Sequence, residues 1–182
     1  TGMVAHCATF LRDSDVKVDA AVGFPLGITT IACKIAEAAE AIQNGAGEVD
    51  YVLNIGKIKE KDENYIRNEM QAMVTLCRER NVVSKVIFEN CYLNHDEKAL
   101  ACRIALEVKP DYVKTSTGFG PSAATVDDVH LMKSIVGDRL KIKAAGGIRD
   151  LDTCLAMLEA GADRIGCSNS IAIAQAFADF NI

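Results

Sequence analysis

The feature that most constrains this chain is a rhythm. Short runs rich in Val and Ile recur about every 30 residues, each followed by a longer stretch with helical spacing. Strands are expected at 18–23, 49–54, 84–89, 112–117, 140–144 and 164–166, and their near-continuous apolar character marks them as buried parallel strands. Helices are expected at 31–44, 64–80, 97–108, 125–136 and 152–160, with one more after the last strand. In the first of these, Ile31, Ile35, Ala38 and Ile42 share one face while Lys34, Glu37 and Glu40 fall mostly elsewhere. Asn44-Gly45 and Gly161 read as helix stops, and Thr125-x-x-Asp128 as a version of a capping box.

Two α/β architectures carry such a rhythm. An eight-unit (β/α) barrel takes ~250 residues and rarely fewer than ~200. An open doubly wound sheet accommodates six strands within 182 residues without difficulty, so length alone favours it. No linker or low-complexity tract divides the chain, so residues 1–182 read as one domain.

Composition narrows the function classes. The net charge of −5 argues against a nucleic-acid surface, which needs clustered Lys and Arg. Apolar stretches are broken by charge or glycine well before the ~18 residues of a membrane span, and no signal segment opens the chain, so a cytoplasmic protein is expected. Seven cysteines are scattered singly, without metal spacing, and read as buried reduced thiols; three scattered histidines suggest no triad.

In parallel α/β proteins ligands meet the carboxyl ends of the strands, and here those ends are rich in polar residues. Lys114 lies within an apolar run, on the face shared by Tyr112 and Ser116. Buried there, its ammonium loses hydration, which favours the neutral amine that attacks a carbonyl. Lys143, in the next strand, adds a second positive charge that favours the amine further. Either lysine alone would read as a solvated strand-end residue; the pair in adjacent strands reads as an activated nucleophile. Asp50, if its face is the lumen, can move protons beside them, with Glu89 in a supporting part; otherwise Asp50 is a rim carboxylate paired with a lysine. Lys85 reads equally as a phosphate contact, a lumen charge partner or a catalytic group. Gly146-Gly147-Ile148-Arg149 and Gly166-Cys167-Ser168-Asn169-Ser170 follow the last two strands, the usual phosphate cradle of a (β/α) barrel, although the glycines could serve only tight turns.

Four ordered motifs, Gly-Phe-Pro-Leu-Gly (23–27), Glu-Val-Asp (48–50), Val-Lys-Thr-Ser-Thr-Gly-Phe-Gly (113–120) and Lys-Ala-Ala-Gly-Gly-Ile-Arg (143–149), resemble those of the deoxyribose-phosphate aldolase family, from Asp15 to the C-terminal helix. The resemblance implies a (β/α)8 barrel and reversible, metal-independent cleavage of 2-deoxy-D-ribose 5-phosphate to D-glyceraldehyde 3-phosphate and acetaldehyde, with no cofactor. Lys114 then matches the Schiff-base lysine, Lys143 the lysine that activates it, and Asp50 the proton-moving carboxylate. Gly146, Gly147, Ser168 and Asn169 match the phosphate loops, Asn169 standing where serine is common; Thr117 and Lys85 are further candidate contacts. Partners implied are small phosphosugars and aldehydes, and a homo-oligomer is expected. Set against the family pattern, the chain begins within the second helix, so about six of eight strand–helix units are expected, with unpaired strand edges. Two rival readings remain: another phosphate-binding barrel lyase or isomerase, and a non-catalytic remnant that binds phosphosugar or self-associates.

Overall fold

The computed structural model describes residues 1–180. Six strands, β1 (Asp19–Val22), β2 (Glu48–Val52), β3 (Val83–Ile87), β4 (Tyr112–Lys114), β5 (Lys141–Ala145) and β6 (Arg164–Gly166), form one parallel sheet in sequence order. Every expected strand is present; the largest shift is in β4, which ends at Lys114 rather than Thr117. Helix α1 (Val4–Phe10) precedes the sheet. The connections carry α2 (Ile31–Gln43), α4 (Glu63–Glu79), α5 (His95–Val108), α6 (Val126–Val136) and α7 (Leu151–Glu159), and α8 (Ser170–Phe180) follows β6. A short helix α3 (Ile55–Lys59), for which periodicity gave no signal, is nucleated by the Asn54 side chain accepting from the Lys57 N–H at 3.2 Å.

The helix starts follow local chemistry. Thr30, Asp62, Asn94, Thr125 and Asp150 each cap a helix by accepting a backbone N–H three residues on. Asn94 and Glu97 complete a reciprocal capping box. At Thr125 the side chain caps the Asp128 N–H, while the Asp128 carboxylate accepts from Lys98 at 2.6 Å.

The sheet curls. Flat parallel strands spaced ~4.8 Å apart would hold β1 and β5 nearly 20 Å apart. Instead Lys143 on β5 reaches Asp19 on β1 at 2.8 Å, and Arg164 on β6 reaches Glu48 on β2 at 2.5 Å. These contacts cross a lumen, so the architecture is an α/β barrel type with six strand–helix units rather than an open doubly wound sheet. β1 and β6 are its edges and do not pair with each other. The edge shows in β1, where Asp19 and Ala21 are exposed while every residue of β2 is buried.

Strand alternation then sorts the residues. Val22, Val49, Tyr51, Val86, Val113, Ile142 and Ala144 point to the helices and join one apolar core with Ile66, Met70, Met73, Ile104, Val129 and Met132. Each such side chain contributes roughly 1.5–3 kcal/mol by leaving water. On the other face lie Asp19, Glu48, Asp50, Lys85, Lys114, Lys143 and Arg164.

Two expectations need correction. Lys34, assigned by its spacing to the outer side of α2, is fully buried: its ammonium donates to Glu69 at 2.5 Å and to the Val52 carbonyl at 2.7 Å, so an ion pair fastens α2 to α4 and to the end of β2. The seven cysteines are free as expected, but only Cys77, Cys102 and Cys154 are buried and Cys33 is exposed. No helix among the described residues is long and apolar enough to cross a membrane.

Candidate active site

Strand register builds the site. Asp50 is the register partner of Lys85 across β2 and β3, and Lys114 that of Lys143 across β4 and β5, so all four project into the lumen. The Asp50 Oδ2 accepts from Lys114 Nζ and from Lys143 Nζ, each at 2.6 Å. Its Oδ1 stands 2.9 Å from Lys85 Nζ. Lys85 also lies 2.6 Å from Glu48 and 3.1 Å from Asp19, as ion pairs outside hydrogen-bond alignment. One carboxylate is thus shared by three lysines.

Their charge states diverge for reasons visible in the geometry. Burial lowers the Lys114 pKa and the Lys143 charge adds to this; the Asp50 carboxylate opposes them without prevailing, so the amine is more accessible than on an ordinary lysine. Burial acts on Lys85 in the same direction, but Asp50, Asp19 and Glu48 outweigh it and its pKa is raised. Burial alone would raise Asp50, yet the three lysines around it hold its carboxyl well below the usual range. Glu48 is likewise lowered, its burial outweighed by Lys85 and Arg164.

Above these groups opens a cavity of about 380 Å³ lined by Lys114, Lys143, Thr117, Gly146, Gly147 and Ser168. Gly146 and Gly147 have φ of +88° and +74°, a backbone that side chains rarely adopt, and a Cβ on Gly147 would stand 2.4 Å from that of Ala123. Glycine is therefore required where the loop bares its N–H groups. Two candidates stand elsewhere. Lys85 is fully buried in the lumen and does not line the cavity, so it is a charge partner there rather than a group facing a phosphate. Asn169 is exposed and donates to the Arg149 carbonyl at 2.8 Å, tying the two glycine loops together from outside the cavity. Glu89 holds the loop above Lys114: at a left-handed φ of +44°, it accepts from the Thr117 hydroxyl and from the Thr117 N–H.

Sequence reasoning missed several residues of this site. Asp19 and Glu48 belong to the lumen network, and a count of charges on the inward strand positions would have found them. Phe24, whose ring centre lies 5.4 Å from Lys114 Nζ, packs edge-on against Phe119, which lines the cavity. Arg149 and Cys167 also line it, and both belong to the loops that the sequence marked as a phosphate cradle.

Such a buried amine beside a second lysine and a shared carboxylate can form and hydrolyse imines. The chain is similar to known aldolases. The deoxyribose-phosphate aldolase of Lactobacillus acidophilus is 58% identical over 170 residues, spanning 93% of this chain and 72% of that relative. The solved structure of the aldolase QR15 superposes with a TM-score of 0.91 at 41% identity, covering 99% of this chain and 80% of that one. The deoxyribose phosphate aldolase of Aeropyrum pernix superposes with a TM-score of 0.88 at 26% identity, covering 97% and 74%. Residues 2–176 match the profile of the DeoC/LacD family aldolases, and the chain belongs to that family.

Proposed function

We propose that the chain cleaves 2-deoxy-D-ribose 5-phosphate reversibly to D-glyceraldehyde 3-phosphate and acetaldehyde through a Schiff base on Lys114. The observation that carries this reading is the Lys114 side chain, buried beside Lys143 on a shared Asp50 and opening into the glycine-lined cavity. The relatives bearing that activity by name support the substrate.

The Lys114 amine adds to the C1 aldehyde of the open sugar, and the carbinolamine loses water to give an iminium. That positive nitrogen draws in the C2–C3 bonding electrons as the C3 hydroxyl gives up its proton, releasing glyceraldehyde 3-phosphate and leaving an enamine. Protonation at C2 and hydrolysis free acetaldehyde and restore the amine. Asp50, in contact with both lysines, moves the protons through water. The chemistry needs no metal or cofactor, since the iminium is the electron sink. Gly146, Gly147 and Ser168 cradle the phosphate, with Arg149 adding positive charge at the mouth and Thr117 a hydroxyl. The reading takes the chain as one barrel-type domain acting on small phosphosugars in the cytoplasm, as a homo-oligomer; the structure from Aeropyrum pernix is described as tetrameric.

Turnover of 2-deoxy-D-ribose 5-phosphate, followed as acetaldehyde release, tests the reaction. Wild type is expected to turn over and Lys114→Leu to be inert; a folded wild-type protein without turnover overturns the reading. Light scattering checks the oligomer.

A further inference from the structure

Asp50 cannot distinguish its two upper lysines. Lys114 and Lys143 are register partners, both donate to the same Oδ2 at 2.6 Å, and both line the cavity with side chains only 7% and 10% exposed. An incoming aldehyde meets two amines of equal reach. The asymmetry lies across the lumen, where Asp19 Oδ2 accepts from Lys143 at 2.8 Å and makes no ion pair with Lys114 among the described residues. Lys114 has the ring of Phe24 in the corresponding place, at 5.4 Å. A full negative charge in contact holds an ammonium more firmly than the face of a ring does.

The charge balance agrees. Three carboxylates, Asp19, Glu48 and Asp50, face four cations, Lys85, Lys114, Lys143 and Arg164. The lumen is neutral when one cation gives up its proton. Arg164 does not do so. Lys85 has three carboxylates within 3.1 Å and Lys143 has two, whereas Lys114 has one.

We propose that Asp19 is the positioning residue that decides which cavity lysine becomes the nucleophile: it engages Lys143 as a second carboxylate partner and so leaves Lys114, held by Asp50 alone, the freer to attack. The assignment rests on the Schiff-base reading above. Asp19 reaches Lys143 only because the sheet curls, 124 positions apart in the chain. Its side chain is 30% exposed on the edge strand β1, so a neutral replacement there disturbs little packing.

Trapping with acetaldehyde and sodium borohydride reads the choice directly. The amine nitrogen bonds to the aldehyde carbon, the oxygen leaves as water after taking up protons, and hydride adds to the iminium carbon. An N-ethyl-lysine remains, located by peptide mass mapping. In wild type the label is expected on Lys114 and not on Lys143. In Asp19→Asn label is expected to appear on Lys143 as well, at about a tenth or more of the total, since that lysine then keeps only Asp50 as a carboxylate partner, as Lys114 does. Asp19→Glu, which keeps the carboxylate, returns the label to Lys114, a rescue that a merely structural role for Asp19 does not explain. Asp19→Ser, made in parallel, carries the same expectation as Asp19→Asn should that variant fail to fold. Label confined to Lys114 in the folded neutral variants overturns the role of Asp19 and leaves the Schiff base standing. Absence of label from Lys114 in wild type overturns both.

Discussion

The two faces of one sheet obey opposite rules. Facing the helices, Val49, Val86, Val113 and Ile142 are fully buried among apolar neighbours, and each stabilises the fold by leaving water. Facing the lumen, on residues directly adjacent in the chain, Asp50, Lys85, Lys114 and Lys143 are also buried but bear ionisable groups, whose charge burial opposes. The difference teaches that the outward face holds the strands together while the inward face uses that stability to keep ions where water would otherwise dissolve their pairing. A strand's period of two lets both exist within one backbone.

The largest expected effect breaks the inward face alone. Lys114→Met removes the proposed nucleophile and should lower turnover by roughly 10,000-fold or more. Asp50 keeps Lys143 and Lys85, so the melting temperature should hold or rise; a collapse of stability would show that the lumen is structural after all.

Asp50→Asn should damage both chemistry and fold, because three lysines lose their shared carboxylate. Activity is expected to drop ~100–10,000-fold, and stability by about 3–5 kcal/mol, measured by urea unfolding at neutral pH. The pH dependence gives the sign. The folded Asp50 carboxyl lies below its unfolded value of ~3.9, so its stabilisation is present above that pH and is lost as pH falls below it. An acid titration of melting temperature should therefore be shallower in Asp50→Asn than in wild type.

Ile142→Ala, one residue from Lys143 but on the other face, should reverse the pattern. Unfolding is expected to require ~2–5 kcal/mol less, while turnover per folded molecule stays within about twofold. A large loss of kcat here would mean that the two faces are mechanically coupled.

The smallest effect, that of a double replacement, concerns the exception to the contrast, the Lys34–Glu69 pair buried on the helix side. Lys34→Met alone strands a buried carboxylate and should cost about 3–5 kcal/mol. Lys34→Met with Glu69→Gln should come within ~2 kcal/mol of wild type, since the glutamine can still accept from the Asn54 N–H and only the Val52 carbonyl loses a partner.

Much of this contrast was legible in the sequence, and unevenly. The strands announce themselves because parallel strands are apolar on the side that meets helices, and Lys114 stood out as a charge inside such a run. Alternation assigned Asp50 and Lys114 to a face, but whether that face looked into a lumen depended on the curl. The curl brings together pairs such as Lys143 with Asp19, which no local window contains. Asp19 passed unnoticed for that reason, as did the inward burial of Lys34, a helical lysine whose carboxylate partner lies 35 positions away. Asn169 occupies a phosphate-loop position by motif yet serves as a strut, because motif spacing fixes the place of the backbone and not where a side chain turns.

The closed floor and open mouth of the site also divide its response to ionic strength. Between about 0.01 M and 1 M salt the Debye length shrinks from ~30 Å to ~3 Å, and only charges that ions can approach feel the change. Asp50 and its lysines lie beneath the cavity, with side chains no more than 10% exposed, whereas Arg149 and Ser168 stand in the open at its rim. On the proposed function, added electrolyte loosens the grip on an anionic substrate and leaves the buried charge arrangement untouched, so recognition and bond cleavage in one cavity would answer to different properties of the medium.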